Sequence, residues 1–158
     1  MFSMKWHYRF MEVATLISSW SKDNSTKTGA VVVGPDREIR ATGYNGPVRG
    51  VDDDVDERYE RPTKYDFFEH AERNAIYNAC LCGTSLKGCT IYVTHFPCTD
   101  CARAIIQSGI KQVVTHELEQ NANTPQNTWR DRILYSQQML KEAGIELVIL
   151  PYQNKKQD

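Results

Sequence analysis

His70-Ala71-Glu72 and Pro97-Cys98-Thr99-Asp100-Cys101 constrain this chain more than any other feature, because an imidazole and two thiolates from separate segments have to meet at one point. Imidazole nitrogen and thiolate sulfur are the donors zinc prefers, and three protein donors with an open fourth position mark a catalytic site. His70, Cys98 and Cys101 form such a trio. A closed structural site would need a fourth ligand, and the remaining thiols, Cys80, Cys82 and Cys89, all lie between the two motifs. A bare C-x-x-C also occurs in redox and structural zinc sites; the H-x-E segment and the preceding proline give it specificity. Glu72 is the spare carboxylate. Two thiolates formally cancel the charge of the ion, so water there is acidified less than in a three-imidazole site, where its pKa falls to about 7. A separate base is therefore required, and Glu72, beside the metal but not needed as a ligand, can take the proton. The competing reading is a surface glutamate stabilised by a helix N-terminus.

Trp6, Phe10, Val13, Ile17 and Trp20 recur at spacings of four and three, the apolar stripe of an opening helix. Ala30 to Val33 and Glu38 to Tyr44 read as a hairpin turned by Gly34-Pro35-Asp36-Arg37. A long polar excursion runs from Pro47 to Tyr65. A helix is predicted from about His70 to Cys82, stopped by Gly83, then a strand over Cys89 to Thr94 and a helix over Thr99 to Ser108 ended by Gly109. Lys111 to Thr115 is a strand and Gln120 to Asn127 a loop. Thr128-Trp129-Arg130-Asp131 resembles a capping box opening a last helix, which Gly144 ends before the strand Ile145 to Leu150.

This order predicts an α/β chain, one domain over residues 1–158, built as a three-layer α-β-α sandwich with a mixed five-stranded sheet flanked by helices. The last three strands run parallel. The two motifs then open successive helices. His70 and Glu72 are two apart and would diverge on a regular helix, so His70 belongs to the turn before it. Cys98 and Cys101 are three apart and share a helix face, and the positive end of a helix favours their thiolates.

The chain has 158 residues, formal charge −1 and a pI of about 6.4. A partner of long polyanions usually carries a basic surfeit, so nucleic acid is disfavoured. No stretch approaches a membrane span, and Met1 to Trp20 lacks the apolar region of a signal peptide. Five cysteines, at least two of them used by the metal, disfavour a disulfide framework. A reducing, cytoplasmic location without a membrane partner is expected.

Taken together, the motifs resemble the deoxycytidylate (dCMP) deaminases of the cytidine deaminase superfamily, since H-x-E with P-C-x-x-C is the signature of zinc nucleobase deaminases. Ser21-Lys22-Asp23 leading to Gly29–Val33, and Thr42-Gly43-Tyr44-Asn45-Gly46-Pro47, are similar to the family's first helix exit and first strands. Tyr92-Val93-Thr94, Ile105–Lys111 and Met139–Gly144 resemble later segments. The resemblance implies a zinc-dependent hydrolysis of dCMP to dUMP and ammonia, supplying thymidylate synthesis; one zinc per chain is expected, because Val48 to Glu69 lacks the further ligands of a second site. Glu72 would carry protons from water to the ring nitrogen and to the leaving ammonia. Asn45 would bond the sugar, the Ala71 backbone would hold the pyrimidine carbonyl, and the Phe96 carbonyl would accept from the 4-amino group.

Ordinary turn chemistry, in which asparagine tolerates a left-handed backbone, is the rival account of Asn45. Lys22, Ser25 and Lys27 lie in the loop where the family places substrate contacts and are candidates for the phosphate, or else solvated charge at a helix end. The family further implies dCTP activation and dTTP inhibition through a second site that includes Gly43, Tyr44, Asn45 and Gly46. Arg49, Arg58 and Arg61 would meet a triphosphate there, with Mg²⁺ held by Asp52, Asp53, Asp54 and Asp56; the alternative is a loop of balanced charges. A homo-oligomer, a hexamer by family resemblance, is expected. Some members bind a second, structural zinc in the excursion, but Val48 to Glu69 contains no cysteine or histidine. Tyr59, Tyr65, Phe67 and Phe68, or a neighbouring subunit, must order it instead. His95, His7 and His116 are off the ligand pattern, and Cys80, Cys82 and Cys89 read as buried apolar side chains. Rival functions are a dCTP-accepting or bifunctional deaminase, a tRNA adenosine deaminase, a free-nucleoside cytidine deaminase, which generally has cysteine in place of His70, and a zinc-stabilised binding module.

Overall fold

The computed structural model describes residues 2–116 and 129–152; the predicted loop over Gln120–Asn127 and the capping residue Thr128 lie outside the described residues. The opening helix α1 (Met4–Ser18) buries Phe10, Met11, Ala14 and Ile17. Trp20 falls beyond its end, is 57% exposed and meets Tyr44 edge-on. The Ser18 and Ser19 hydroxyls donate to the carbonyls of Thr15 and Leu16, the local bonding by which serine competes with helix continuation.

The chain then forms the hairpin of β1 (Gly29–Val33) and β2 (Ile39–Tyr44). In its turn Arg37 takes the left-handed conformation (φ 69°) and lays its guanidinium over Trp6. The polar excursion carries more order than its composition announces. Two residues of β3 (Gly46–Pro47) pair with β4 (Phe68–Glu69), between which lie a 3₁₀ turn at Asp56–Tyr59 and the short helix α2 (Lys64–Phe67). Tyr59 meets Phe68 edge-on and donates to the Asp53 carbonyl, while Arg58 covers Phe67. Tyr65 is exposed instead. Beneath them Lys64 is buried and donates to both Asp23 oxygens and to Ser25.

Next come α3 (Ala71–Leu81), β5 (Thr90–Val93), α4 (Thr99–Gln107), β6 (Gln112–His116), α5 (Trp129–Glu142) and β7 (Glu146–Leu150). Every main element of the sequence reading is present, most with bounds shifted by a residue or so. The sheet order is β2-β1-β5-β6-β7. The β1 strand is antiparallel to both neighbours, and β5, β6 and β7 are parallel.

A strand covered on both faces reads as a continuous apolar run, and all five residues of β1 are buried. Val31 and Val33 join Tyr92, Val114 and Leu150 against α1, whereas Ala30 and Val32 face a second core with Ala71, Ala75, Ile105 and Leu140. The sheet thus lies between α1 on one side and α3, α4 and α5 on the other. On that second face α3 seats directly on β2. A Cβ at Gly43 would come within 2.4 Å of the Ala71 carbonyl oxygen and the Ala75 nitrogen, so only glycine permits this approach. Among the described residues no helix is long and apolar enough to cross a membrane.

Candidate metal centre and active site

Two helix N-termini on the same face of the sheet build the centre. His70 is the N-cap of α3 and Cys98 the N-cap of α4, both with extended backbone, and Cys101 follows one turn into α4. An N-cap side chain ordinarily accepts from the first turn; neither does so here, and both point to each other instead. His70 Nδ1 lies 3.4 Å from Cys98 Sγ and 3.5 Å from Cys101 Sγ. One donor atom from each of the three lies within 4.8 Å of the others.

The donor set fits a divalent ion on chemical grounds. The Cys101 thiol donates to Cys98 and holds it as a thiolate, with a pKa lowered to about 3. The same shared proton, with burial, pushes Cys101 far upward. The two thiols thus oppose each other's ionisation, and zinc ligation, which takes both as thiolates, supplies the positive charge that relieves this. The Cys98 interaction, against the opposing effect of burial, raises His70 above its ordinary value. Glu72 is 4% exposed, and burial holds its carboxyl above the ordinary carboxylate range. Ala71 and Phe96, assigned to the pyrimidine ring, are both buried beside these ligands in the chain.

Asn45 is committed to the protein. Its Oδ1 accepts from the Thr28 amide at 2.8 Å, and its Nδ2 donates to the Thr26 carbonyl at 2.8 Å. Ser21 donates to the Asn45 carbonyl. These bonds set the loop over residues 21–28. The left-handed alternative does not apply, since Arg37 is the non-glycine with positive φ among the described residues.

Within that loop Lys22 pairs with Asp53 at 2.6 Å, and Ser25 is held between Asp23 and Lys64. Lys27 is exposed. Burial pushes Asp23 upward, but Lys64 and the bonds from Ser25 and Thr26 outweigh it and hold its carboxyl below the ordinary value. Of the effector candidates, Gly43 and Gly46 are buried, Tyr44 is exposed, and Arg49 donates to Asn78 at 2.6 Å. Asp52, Asp53 and Asp54 form an acidic group.

His7 is buried on Tyr92, His95 lies on Thr28, and His116 stacks on Tyr152; none joins the centre. Cys89 is buried as expected, whereas Cys80 and Cys82 are exposed. Their place at the solvent-facing end of α3 is a correction to the reading of both as core. Sequence reasoning also missed Lys64, and it missed Asp100, on which Arg73, Arg103 and Arg132 converge. The Glu69–Arg73 pair was legible as opposite charges four apart; Arg132, far along the chain, gave no such signal.

Comparison with known proteins agrees with this geometry. The model of the cytidine and deoxycytidylate deaminase zinc-binding region matches residues 4–117. An uncharacterized deaminase from the luxG 3′ region of Aliivibrio fischeri is 44% identical over 147 residues, covering 93% of this chain and 95% of that one. Human deoxycytidylate deaminase is 42% identical over 116 residues, or 70% of this chain. The match spans 64% of the human protein's length. In structure, the dCMP deaminase of cyanophage S-TIM5, crystallised with dCMP and dUMP, aligns with a TM-score of 0.74 at 25% identity, covering 95% of this chain and all of the phage chain.

Proposed function

The chain belongs to the cytidine and deoxycytidylate deaminase family defined by this zinc-binding region, and on that premise we propose that it hydrolyses dCMP to dUMP and ammonia. The observation that carries the reading is one buried carboxylate, Glu72, beside a trio of one imidazole and two thiols that forms a three-donor zinc site. When bound by His70, Cys98 and Cys101, zinc supplies positive charge that acidifies water and favours oxygen bearing negative charge at the reacting carbon.

The remaining work belongs to the chain. Glu72 takes a proton from the water as its oxygen attacks C4, and delivers it to N3 of the ring. It then takes the second proton from the C4 hydroxyl and passes it to the amino group, so that the C4 carbonyl forms as the C4–N bond breaks and ammonia leaves. Burial of Glu72 suits a group that must accept and release a proton in one cycle. The backbone at Ala71 and the carbonyl of Phe96 orient the pyrimidine. Asn45 accepts from a sugar hydroxyl with the Oδ1 lone pair that Thr28 leaves open, its Nδ2 donors being taken by Thr26 and Asp23, and it keeps the loop bearing Lys22, Ser25 and Lys27 in place for the phosphate.

Regulation by dCTP and dTTP, Mg²⁺ with the triphosphate, and assembly into a homo-oligomer belong to the same proposal. Exposed Tyr44, Arg49 and the acidic group at Asp52–Asp54 support the effector part. Ammonia release from dCMP, dCTP, deoxycytidine, cytidine and a tRNA anticodon stem-loop, assayed side by side, tests the substrate; dCMP is expected to lead. Glu72→Gln is expected to keep about one zinc per chain and lose at least a hundredfold in rate. A zinc-free Glu72→Gln protein, or one that deaminates dCMP at near the native rate, would remove Glu72 from this role. The dCMP curve repeated with dCTP·Mg²⁺ and with dTTP tests the effector reading.

A further inference from the structure

The contacts around Asp100 form a continuous path joining the two segments that deliver the metal ligands. It begins at the first ligand. The backbone N–H of His70 donates to Glu69 Oε1 at 3.0 Å, and Arg73 Nε donates to that same oxygen at 2.6 Å. The Arg73 guanidinium then faces Asp100 Oδ2, with Nη1 at 3.8 Å. Asp100 sits in the turn between Cys98 and Cys101, and it is held from the far side by Arg103 of its own helix and by Arg132 of α5 at 3.0 Å. Arg132 also donates to Thr99 Oγ1 at 3.2 Å, the residue after Cys98.

Exposed ion pairs contribute little, but this path is sheltered at its start: the Glu69 and Arg73 side chains are 16% and 21% exposed. A planar guanidinium also reaches two carboxylates at once, which an ammonium cannot do with the same geometry. We propose that Arg73 is a positioning residue of the metal centre, fixing the His70 turn of α3 against the thiolate turn of α4 by bridging Glu69 to Asp100. Groups behind the ligands set ligand orientation, and their loss typically costs about 10- to 100-fold in metal affinity.

The inference rests on His70, Cys98 and Cys101 being the zinc ligands. Wild-type protein that purifies and reconstitutes without zinc would overturn that reading, whereas the variants below test Arg73 alone. Zinc-loaded wild type, Arg73→Leu, Arg73→Lys and Glu69→Gln are titrated with a chelator, and ligand geometry is read from the visible spectrum of each cobalt-substituted protein. Arg73→Leu is expected to release zinc about tenfold or more readily, with a shifted cobalt spectrum, and Arg73→Lys to fall between it and the wild type. Asp100→Asn, made alone and on Arg73→Leu, completes the cycle: its contacts to Arg103 and Arg132 are lost in both backgrounds, so its cost in zinc affinity should be smaller where Arg73 is already gone, and an equal cost in both would count against the Arg73–Asp100 bridge. If Arg73→Leu does not fold, Glu69→Gln and Arg73→Lys give the same measurement. Zinc affinity and cobalt spectra matching wild type in the folded variants would overturn the proposal.

Discussion

His7 shows how a single side chain ties stability to pH. It lies 3% exposed in the core between α1 and the sheet, with Nδ1 2.9 Å from the Tyr92 hydroxyl. Burial lowers its pKa from the ordinary 6.5, against a smaller opposing effect of Glu146. The folded chain therefore keeps His7 neutral where the unfolded chain takes up a proton. Its contribution is present above 6.5 and is lost as pH falls below that value. The urea midpoint of the native protein should drop between pH 7 and roughly 5 more steeply than that of His7→Gln, whose amide can still bond Tyr92 without gaining charge. Parallel slopes for the two proteins would show that His7 is not the group responsible. The sequence offered His7 only as a histidine without a motif; Tyr92, 85 residues away, supplied the rest.

At the level of elements, the seating of α3 on β2 positions the first half of the site. Since the atoms in the way of a Cβ at Gly43 are backbone, Gly43→Ala must lift α3, moving His70 and Glu72 away from Cys98. Overpacking of this kind costs about 1–3 kcal/mol, and zinc content should fall with the melting temperature. Gly46→Ala is the control from the same segment, because nothing lies within 4 Å of its added carbon. Equal zinc content in the two variants would mean that α3 does not depend on this contact. The long apolar runs, glycine stops and both zinc motifs were legible because each is a local pattern. The β3–β4 ribbon was not, since strands of two residues show no period. Lys64 and Asp23 pair across 41 residues, and Asn45 bonds the loop before β1; neither relation leaves a mark on neighbouring residues. Trp20 matched the helical period and still fell outside α1, because the adjacent serines end the helix.

Across the whole molecule, the ligand-bearing stretch from α3 through β5 to α4 is a compact insert in a sheet whose hairpin and last strand come from either end of the chain. His70 and Cys101 are 31 residues apart in sequence and meet in space. An ion gripping both is a removable cross-link. By the chain-entropy relation used for disulfides, closing a loop of that size removes about 3–4 kcal/mol of freedom from the unfolded ensemble, wherever the ligands stay bound in that ensemble. Chelation should therefore lower the denaturation midpoint and speed unfolding, measured by matched melts with and without the chelator; identical curves would leave the ion no part in holding the chain together. The same centre then acts as a clasp, so that losing the metal loosens the scaffold as it silences the chemistry, and a metal-starved cell would meet the protein first as a substrate for its proteases.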